Sequence, residues 1–375
     1  MEIGIYTFGD LPAGTSGGVA ARKRLHEIVA AAKLADEAGL SVFGVGEHHR
    51  SDYAISAPAV VLGAIAAATS RIRLTTAVTI LSSADPVRVM EELATVDLLS
   101  NGRAELTVGR GAFVESFPLF GHDLRDYDAL YAEKLDLLLK LRAVDRLTWS
   151  GVHRPPLREA EIAPRAVGSP PIWVGAGGTP ASAVRAGQLG LPLNLAIIGG
   201  EPAHFAPFAE LYRRSGAEAG HDPATLKFGI SSHLHTRRDA GRARDAFFPH
   251  YQRYLASNVP DRVRGWHVSR HDYGRLAGVH GALFVGSPQQ IVDKILYEYE
   301  LFRHDRFMAQ VDIGGLPFAD VAEVIELLST EVMPAVRRAV GSASALTPAR
   351  PELETGAAHV INSSTRSARV SRWNS

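Results

Sequence analysis

The segment 71–109, RIRLTTAVTILSSADPVRVMEELATVDLLSNGRAELTVG, contains two β-type runs separated by a helical pattern. The first run, 71–81, is rich in β-branched residues, which favour strands, and the second, 103–109, is a short run bounded by glycines. Between them, Asp85 and Pro86 are typical of a helix start, because aspartate caps the first turn and proline fits its first position. The pair Asn101-Gly102 is typical of a helix end. The segment therefore predicts a strand, a helix and a second strand in succession.

The same alternation continues on both sides of this segment. Strands are predicted at residues 2–8, 41–46, 71–81, 103–109, 170–177, 191–198, 226–236 and 307–313. Helical spacing of apolar residues predicts helices at 19–38, 57–69, 85–101, 126–142, 180–189, 203–219, 239–255, 287–302 and 320–338. Eight strands alternating with helices predict a parallel (β/α)8 TIM barrel in the α/β class. A doubly wound open sheet is the main alternative, and the strand count and the lack of an early GxGxxG turn argue against it.

The chain is predicted to hold one barrel domain over residues 1–340, with insertions in the loops that follow the strands. The main insertion is an irregular stretch at about 256–286. From Gly341 onward the sequence is enriched in Ser, Ala, Pro and Arg without periodicity, which is typical of disordered segments. Residues 341–375 are therefore predicted to form a disordered tail.

Composition narrows the class of protein. Forty basic and forty acidic residues balance, so we expect neither nucleic acid nor a membrane surface as a partner. The absence of cysteine excludes disulfides, thiolate metal ligands and cysteine nucleophiles. The N-terminus, MEIGIYTFGD, does not have the basic region and long apolar segment of a signal peptide, and LGLPLNLAIIGG at 189–200 is too short to span a bilayer. We therefore expect a soluble cytoplasmic protein.

The predicted second strand ends in Glu47, His48 and His49. Active sites of such barrels lie at the carboxyl ends of the strands, so these side chains are expected at the barrel mouth. Because alternate residues share a face of a strand, Glu47 and His49 should point one way and His48 the other. This disfavours a shared metal ion, and no metal site is predicted. An acid–base role is favoured, and hydrogen-bonded histidines that cap the strand are the alternative.

Glycine-containing turns follow three later strands. Arg110 lies between two glycines after the fourth strand, where it is expected to face the mouth and meet an anion. The fifth strand leads through a glycine-rich turn into a helix, whose N-terminus favours phosphate. Another glycine pair after the sixth strand allows a second close approach of a ligand. These turns indicate a phosphate site, and a solvated arginine with plain connecting turns is the alternative. The glycine-turn residues are Gly177, Gly178 and Thr179, and Gly199 and Gly200.

Several longer motifs occur together in one order. They are GEHH after the second strand, TAVTILSSADPVR after the third, DLLSNGRAELTVGRG across the third helix and fourth strand, and PPIWVGAGGTPASAVRAGQLGLPL in the fifth unit. Because these motifs occur together in this order, the chain resembles the bacterial luciferase-like, flavin-dependent monooxygenase family over about residues 1–338.

The resemblance implies roles for individual residues. It implies that His48 is the acid–base group beside the flavin ring, and that a cis peptide between Ala77 and Val78 lies against that ring. It also implies that Arg110 and the turn before the fifth-unit helix bind the flavin phosphate. When Glu47 and the turn at Gly199 and Gly200 are added, the full cofactor site expected is Glu47, Ala77, Val78, Arg110, Gly177, Gly178, Thr179, Gly199 and Gly200.

One position departs from the family pattern. Luciferase has a second arginine in the helix after the fourth loop, whereas the matching stretch FGHDLRDYDALYAEK places Asp128 there, with Arg125 nearby. The departure implies either a phosphate site that is built differently or a flavin that is positioned differently.

The resemblance implies an enzyme that oxidises a small organic substrate with dioxygen and reduced FMN. Because the sequence has no dinucleotide fingerprint, a separate flavin reductase is expected to supply the reduced FMN, with slow direct reduction as the alternative. A homodimer is also implied, and the alanine-rich helix at 57–69 fits close helix packing. Two other functions stay open: a hydride-transfer oxidoreductase that uses a deazaflavin coenzyme, and a non-catalytic flavin-binding protein.

Overall fold

The segment 71–109 folds as a strand, a helix and a strand. In a computed structural model of the chain, which describes residues 1–111, 113–258 and 268–346, the helix spans Pro86–Ser100. Asp85 caps this helix, because its side chain accepts hydrogen bonds from the backbone N–H groups of Val87 and Arg88. Asn101 ends the helix in the left-handed conformation, with φ of 58°. The helix start and end predicted from the sequence are confirmed.

Strands and helices alternate along most of the chain. The strands of the described residues are β1 (Glu2–Thr7), β2 (Val42–Val45), β3 (Arg73–Thr76), β4 (Thr79–Ile80), β5 (Ala104–Gly109), β6 (Arg146–Trp149), β7 (Leu157–Glu161), β8 (Ile172–Ala176), β9 (Leu193–Ala196), β10 (Phe228–Thr236), β11 (Phe284–Gly286) and β12 (Arg306–Gln310). The helices are α1 (Gly17–Glu37), α2 (Pro58–Ala68), α3 (Pro86–Ser100), α4 (Ser116–Leu119), α5 (Tyr127–Ala143), α6 (Pro180–Gln188), α7 (Ala206–Glu218), α8 (Ala240–Asn258), α9 (Arg270–Leu276), α10 (Pro288–Phe302), α11 (Phe318–Leu327) and α12 (Met333–Leu346).

Parallel strands close into a barrel. The order around it is β1, β2, β3, β5, β8, β9, β10 and β12, and β12 pairs with β1 to complete the circle. The short strand β4 follows β3 and pairs with β5. A closed barrel of eight parallel strands confirms the predicted (β/α)8 fold and excludes the open sheet.

Two pieces of β-structure lie outside the prediction. Strands β6 and β7 form an antiparallel hairpin between α5 and β8, and β11 pairs with β10 outside the barrel circle. The stretch predicted to be irregular, 256–286, contains α9 and β11, so that expectation was wrong for these parts, and residues 259–267 lie outside the described residues.

The C-terminal boundary also differs from the prediction. Helix α12 continues to Leu346, past the expected domain end at residue 340. The rest of the predicted disordered tail, residues 347–375, lies outside the described residues.

A buried ion pair closes the amino-terminal end of the barrel, which we call the floor. Arg306 of β12 donates to both carboxylate oxygens of Glu105 on β5, at 2.6 and 3.1 Å, and each residue is 3% exposed. Arg306 also donates from Nε to Glu2 at 2.7 Å. The ring of Trp173 lies 4.2 Å from the guanidinium carbon. The floor therefore links the strands β1, β5 and β12 through Arg306, and Arg73 of β3 also pairs with Glu105, at 3.1 Å, and with Glu2.

Substitution of the floor arginine tests how much the barrel depends on it. Arg306→Met should lower the free energy of unfolding by about 1.5–3 kcal/mol, because the buried Glu105 loses two charged hydrogen bonds and keeps only the ion pair with Arg73, 3.1 Å away. Denaturation in urea measures this change. Arg146→Met is the matched control, since it breaks an ion pair with Glu161 in which both side chains are 64% exposed, and it should cost less than about 1 kcal/mol. Equal losses in the two variants would contradict a structural role for the floor.

Candidate active site

A cavity of about 460 Å³ opens at the carboxyl end of the barrel. Most of its lining is apolar or aromatic, with polar side chains at separate points. The apolar and aromatic lining includes Tyr6, Phe8, Val78, Ile80, Phe113 and Met308. A concave, largely apolar cavity with a few polar groups is typical of a small-molecule site, and we call it the main cavity.

Most of the residues predicted for the site line the main cavity: Glu47, His48, Ala77, Val78, Arg110, Gly177 and Thr179. Gly178, Gly199 and Gly200 lie outside its lining. A Cβ atom at Gly178 would lie 2.9 Å from the ring of Phe205, so this glycine faces the segment that follows β9. After β9 the lining residue is Ile198, and the backbone turns away at Gly200, where φ is 79°.

His48 lies in a collar of aromatic rings at the edge of the main cavity. Its ring stacks on Tyr53 at a centroid distance of 4.2 Å and meets the edges of Phe8 and Phe113 at 4.9 Å each. The residue is 4% exposed. Its Nδ1 atom lies 2.9 Å from Oε1 of Glu115. An aromatic collar and one carboxylate therefore fix the orientation of the imidazole.

Glu115 is a site residue that the sequence analysis did not find. It precedes the short helix α4 and lies 67 positions from His48 in the chain. Burial raises the pKa of its carboxyl group, but hydrogen bonding with His48 and the nearby Arg50 charge outweigh burial and hold the pKa below its usual range. The carboxylate accepts and does not donate, so Nδ1 of His48 carries the proton between them. This leaves Nε2 as the nitrogen that can exchange a proton.

Glu47 and His49 point to the other side of the strand end, as the alternation of side chains predicts. Oε1 of Glu47 accepts from the backbone N–H of Ile80 at 3.2 Å and lies 3.7 Å from Nε2 of His49. The ring of His49 packs against the edge of Phe120, at 5.0 Å. Both residues line a second cavity, of about 440 Å³, beside α2 and α3. Glu47 therefore stands in the wall between two cavities, while His48 faces the main cavity.

A flat shelf forms one wall of the main cavity. The peptide bond between Ala77 and Val78 is cis, in the gap between β3 and β4. Two glycines of neighbouring strands lie close behind it, since a Cβ atom at Gly109 would lie 2.8 Å from Val78 and one at Gly175 would lie 2.7 Å from it. Larger residues at these positions would push Val78 into the cavity. The shelf is therefore suited to a flat ligand.

The predicted phosphate site is built around Arg110. Its guanidinium donates to Thr179 Oγ1 at 3.1 Å and to Ser182 Oγ at 3.4 Å, at the start of α6. The same guanidinium pairs with Asp128 at 2.6 Å. Asp128 is the position that departs from the family pattern, and Arg125 pairs with Asp123 instead. The arrangement collects hydrogen-bond donors and hydroxyl groups that suit a phosphate, but a carboxylate already holds the arginine.

The described residues contain neither a metal-binding cluster nor a membrane-spanning helix. No group of three or more His, Asp or Glu side chains in these ranges is arranged to hold a metal ion. No helix in the same part of the chain is both long and apolar enough to cross a bilayer.

The family model for luciferase-like monooxygenases matches residues 1–305. The chain belongs to this family. The closed barrel with its cavity at the carboxyl end and the GEHH strand end are thus features of a luciferase-like monooxygenase.

Solved structures of similar fold include enzymes with two kinds of coenzyme. A monooxygenase from Streptomyces bottropensis is 25% identical, with a TM-score of 0.78 over 89% of this chain and 99% of that one. The oxygenating constituent of 3,6-diketocamphane monooxygenase from Pseudomonas putida, in complex with FMN, is 19% identical, with a TM-score of 0.70 over 90% and 98%. The coenzyme F420-dependent tetrahydromethanopterin reductase from Methanopyrus kandleri is also 19% identical, with a TM-score of 0.67 over 89% and 99%. The last two show the shared fold.

Proposed function

We propose that this luciferase-like protein oxidises a small organic substrate with dioxygen and reduced FMN, which a separate reductase supplies. The observation that carries the proposal is the position of the His48–Glu115 pair. It borders the same cavity as the flat shelf and the Arg110 turn. A proton-exchanging group, a surface for a ring and a place for a phosphate therefore meet in one cavity.

The residues of the main cavity fit FMN. Arg110, Thr179 and Ser182 would hold the phosphate, since arginine and hydroxyl groups form strong hydrogen bonds with phosphate oxygens. The shelf at Ala77 and Val78 would support the flat ring. When bound, reduced FMN supplies the electrons for the activation of dioxygen.

The protein's own residues contribute a proton and a dry environment. Nε2 of His48 is free to hold or release a proton, because Glu115 fixes the proton on Nδ1. The aromatic rings of Phe8, Tyr53 and Phe113 surround the imidazole and exclude water from it. Exclusion of water protects reactive species from hydrolysis and strengthens electrostatic interactions in the site.

A deazaflavin coenzyme is the second candidate. The support for this candidate is the fold that the chain shares with the coenzyme F420-dependent reductase from Methanopyrus kandleri. The reaction would then be hydride transfer without dioxygen. The absorption spectrum of the bound coenzyme separates the two, since FMN absorbs in the blue and near ultraviolet and a deazaflavin peaks at shorter visible wavelength.

The phosphate contact can be tested by comparing FMN with riboflavin, which lacks the phosphate. Arg110→Ala should weaken FMN binding roughly ten- to a hundredfold, because it removes about 1.5–3 kcal/mol of charged hydrogen bonding, and it should leave riboflavin binding unchanged. Asp128→Asn should strengthen FMN binding by up to about fivefold, since a competing exposed ion pair of about 1 kcal/mol is removed. Flavin fluorescence gives the dissociation constants. Equal effects on both flavins would remove Arg110 from a phosphate site.

The role of His48 can be tested by oxygen uptake with reduced FMN and a panel of aldehydes, ketones and terpenes. His48→Ala should lower turnover about 10²–10⁴-fold, as expected for loss of an acid–base group, while FMN still binds. His49→Ala is the control, because His49 faces the second cavity, and its effect on the rate should be smaller. The opposite ranking would reverse the two histidines. If neither the wild type nor the variants couple uptake to a substrate, a non-catalytic flavin-binding protein becomes the better description.

A homodimer is part of the same proposal. Helices α2 and α3 expose apolar side chains, with Val60 72%, Leu98 39% and Leu99 59% exposed, and such residues are typical of interfaces when they cluster. Light scattering at micromolar concentration should give the mass of two chains. The mass of one chain would contradict the dimer.

A further inference from the structure

Polar side chains line the main cavity on the side opposite the shelf. His233 of β10 and Gln310 of β12 border it there, whereas Asn194 of β9 borders it beside Gly175, with which it pairs in register. In the circle of eight strands, β10 lies across from β3, which leads into the shelf, and β12 lies across from β5, which leads to Arg110. A ring on the shelf with its phosphate at Arg110 therefore leaves the side chains of His233 and Gln310 to another ligand. We call them the far wall.

Protein atoms leave several groups of the far wall without a hydrogen-bond partner. Both amide atoms of Gln310 and the Nδ1 atom of His233 are buried and unpartnered, and these residues are 0% and 1% exposed. Asn194, on the neighbouring strand β9, donates to Ser231 at 2.7 Å, but its Oδ1 atom has no partner. A buried polar group that stays unpaired is destabilising. The far wall is therefore suited to a molecule in the cavity that can both donate and accept.

The far wall carries no free charge. Burial lowers the pKa of His233 to about 3, so its imidazole is neutral near pH 7. The charged group below it, Arg306, is bound to Glu105 and Glu2 in the floor. A carboxylate or ammonium group would lose its hydration here without gaining an opposite charge, which disfavours charged ligands.

The surroundings of the far wall are apolar. Met308 lies two residues before Gln310 on the same strand and lines the cavity with it. Tyr254 meets the ring of His233 edge-on at 5.0 Å. The part of a ligand that extends from the polar groups therefore contacts apolar and aromatic surface.

From this arrangement we propose that the far wall binds the organic substrate through an uncharged hydroxyl or carbonyl group on an apolar skeleton. This inference rests on the proposed function, in which FMN occupies the shelf. It assigns His233 and Gln310 as specificity-determining residues, and it makes plain hydrocarbons and charged acids poor ligands.

Two probes of similar shape test the proposal without any flavin. The hydroxyl compound 2-naphthol should bind the wild-type protein about tenfold or more tightly than 2-methylnaphthalene, because the hydroxyl pairs with the far wall. Gln310→Met should remove most of this preference, since it keeps the side-chain size and removes the amide. Gln188→Met is the matched control, since it makes the same replacement at an exposed position of α6 outside the cavity lining, and it should keep the preference. Calorimetric titration gives the dissociation constants.

Other outcomes would overturn the inference. Equal binding of the two probes, or no binding of 2-naphthol at millimolar concentration, would show that the far wall does not recognise a hydroxyl group. A Gln310→Met variant that loses FMN binding but keeps the preference for 2-naphthol would assign the wall to the cofactor. His233→Phe is the second variant if circular dichroism shows that Gln310→Met is unfolded, and an unchanged preference there would also contradict the proposal. Failure of the proposed function would appear separately, as FMN binding that does not respond to Arg110→Ala.

Discussion

The ion pair between Glu105 and Arg306 fills the interior at the amino-terminal end of the barrel, so that the cavity lies at the carboxyl end. The two residues lie on strands that face each other across the barrel, so their contact spans the interior at the floor. Burying two charges costs hydration, which only good geometry offsets, and here the arginine uses three nitrogens on two carboxylates. With the floor filled, the cavity is directed toward the carboxyl ends of the strands. The loops that carry His48, Arg110 and Thr179 surround that opening.

Much of the fold could be predicted because its signals are local. The alternation of strands and helices, and the cap at Asp85, depend on residues that are close in sequence. The hairpin β6–β7 could not be predicted in this way, since LREAE at 157–161 is mostly polar and only intermediate or exposed in the structure. Strand β11 has three residues, too few for a period to appear. Strand β11 is buried and paired with β10, so it depends on a tertiary contact that the local sequence does not reveal.

The same difference between local sequence signals and tertiary contacts applies to the residues of the site. The position of His48 follows from the end of a strand, whereas its partner Glu115 comes from a different loop and is brought close by tertiary folding alone. Gly199 and Gly200 were expected to approach a ligand, but a glycine pair does not reveal in which direction its turn leads. The far wall could have been predicted in part from the sequence, because His233 and Gln310 are polar residues on strands that are buried throughout. Inward polar positions in a barrel strand indicate either a ligand contact or a buried ion pair such as that of the floor.

The pairing of Arg110 with Asp128 has a consequence for how long a phosphate compound would stay bound. A phosphate that enters this turn exchanges one charged partner of the arginine for another, so the gain is smaller than at an arginine that waits unpaired. The displaced carboxylate remains nearby, since Asp128 is anchored at the start of α5, and it can reclaim the arginine as the ligand departs. We expect such a site to favour rapid exchange with a dissolved pool over permanent retention. In such a protein the coenzyme would bind and dissociate in each catalytic cycle.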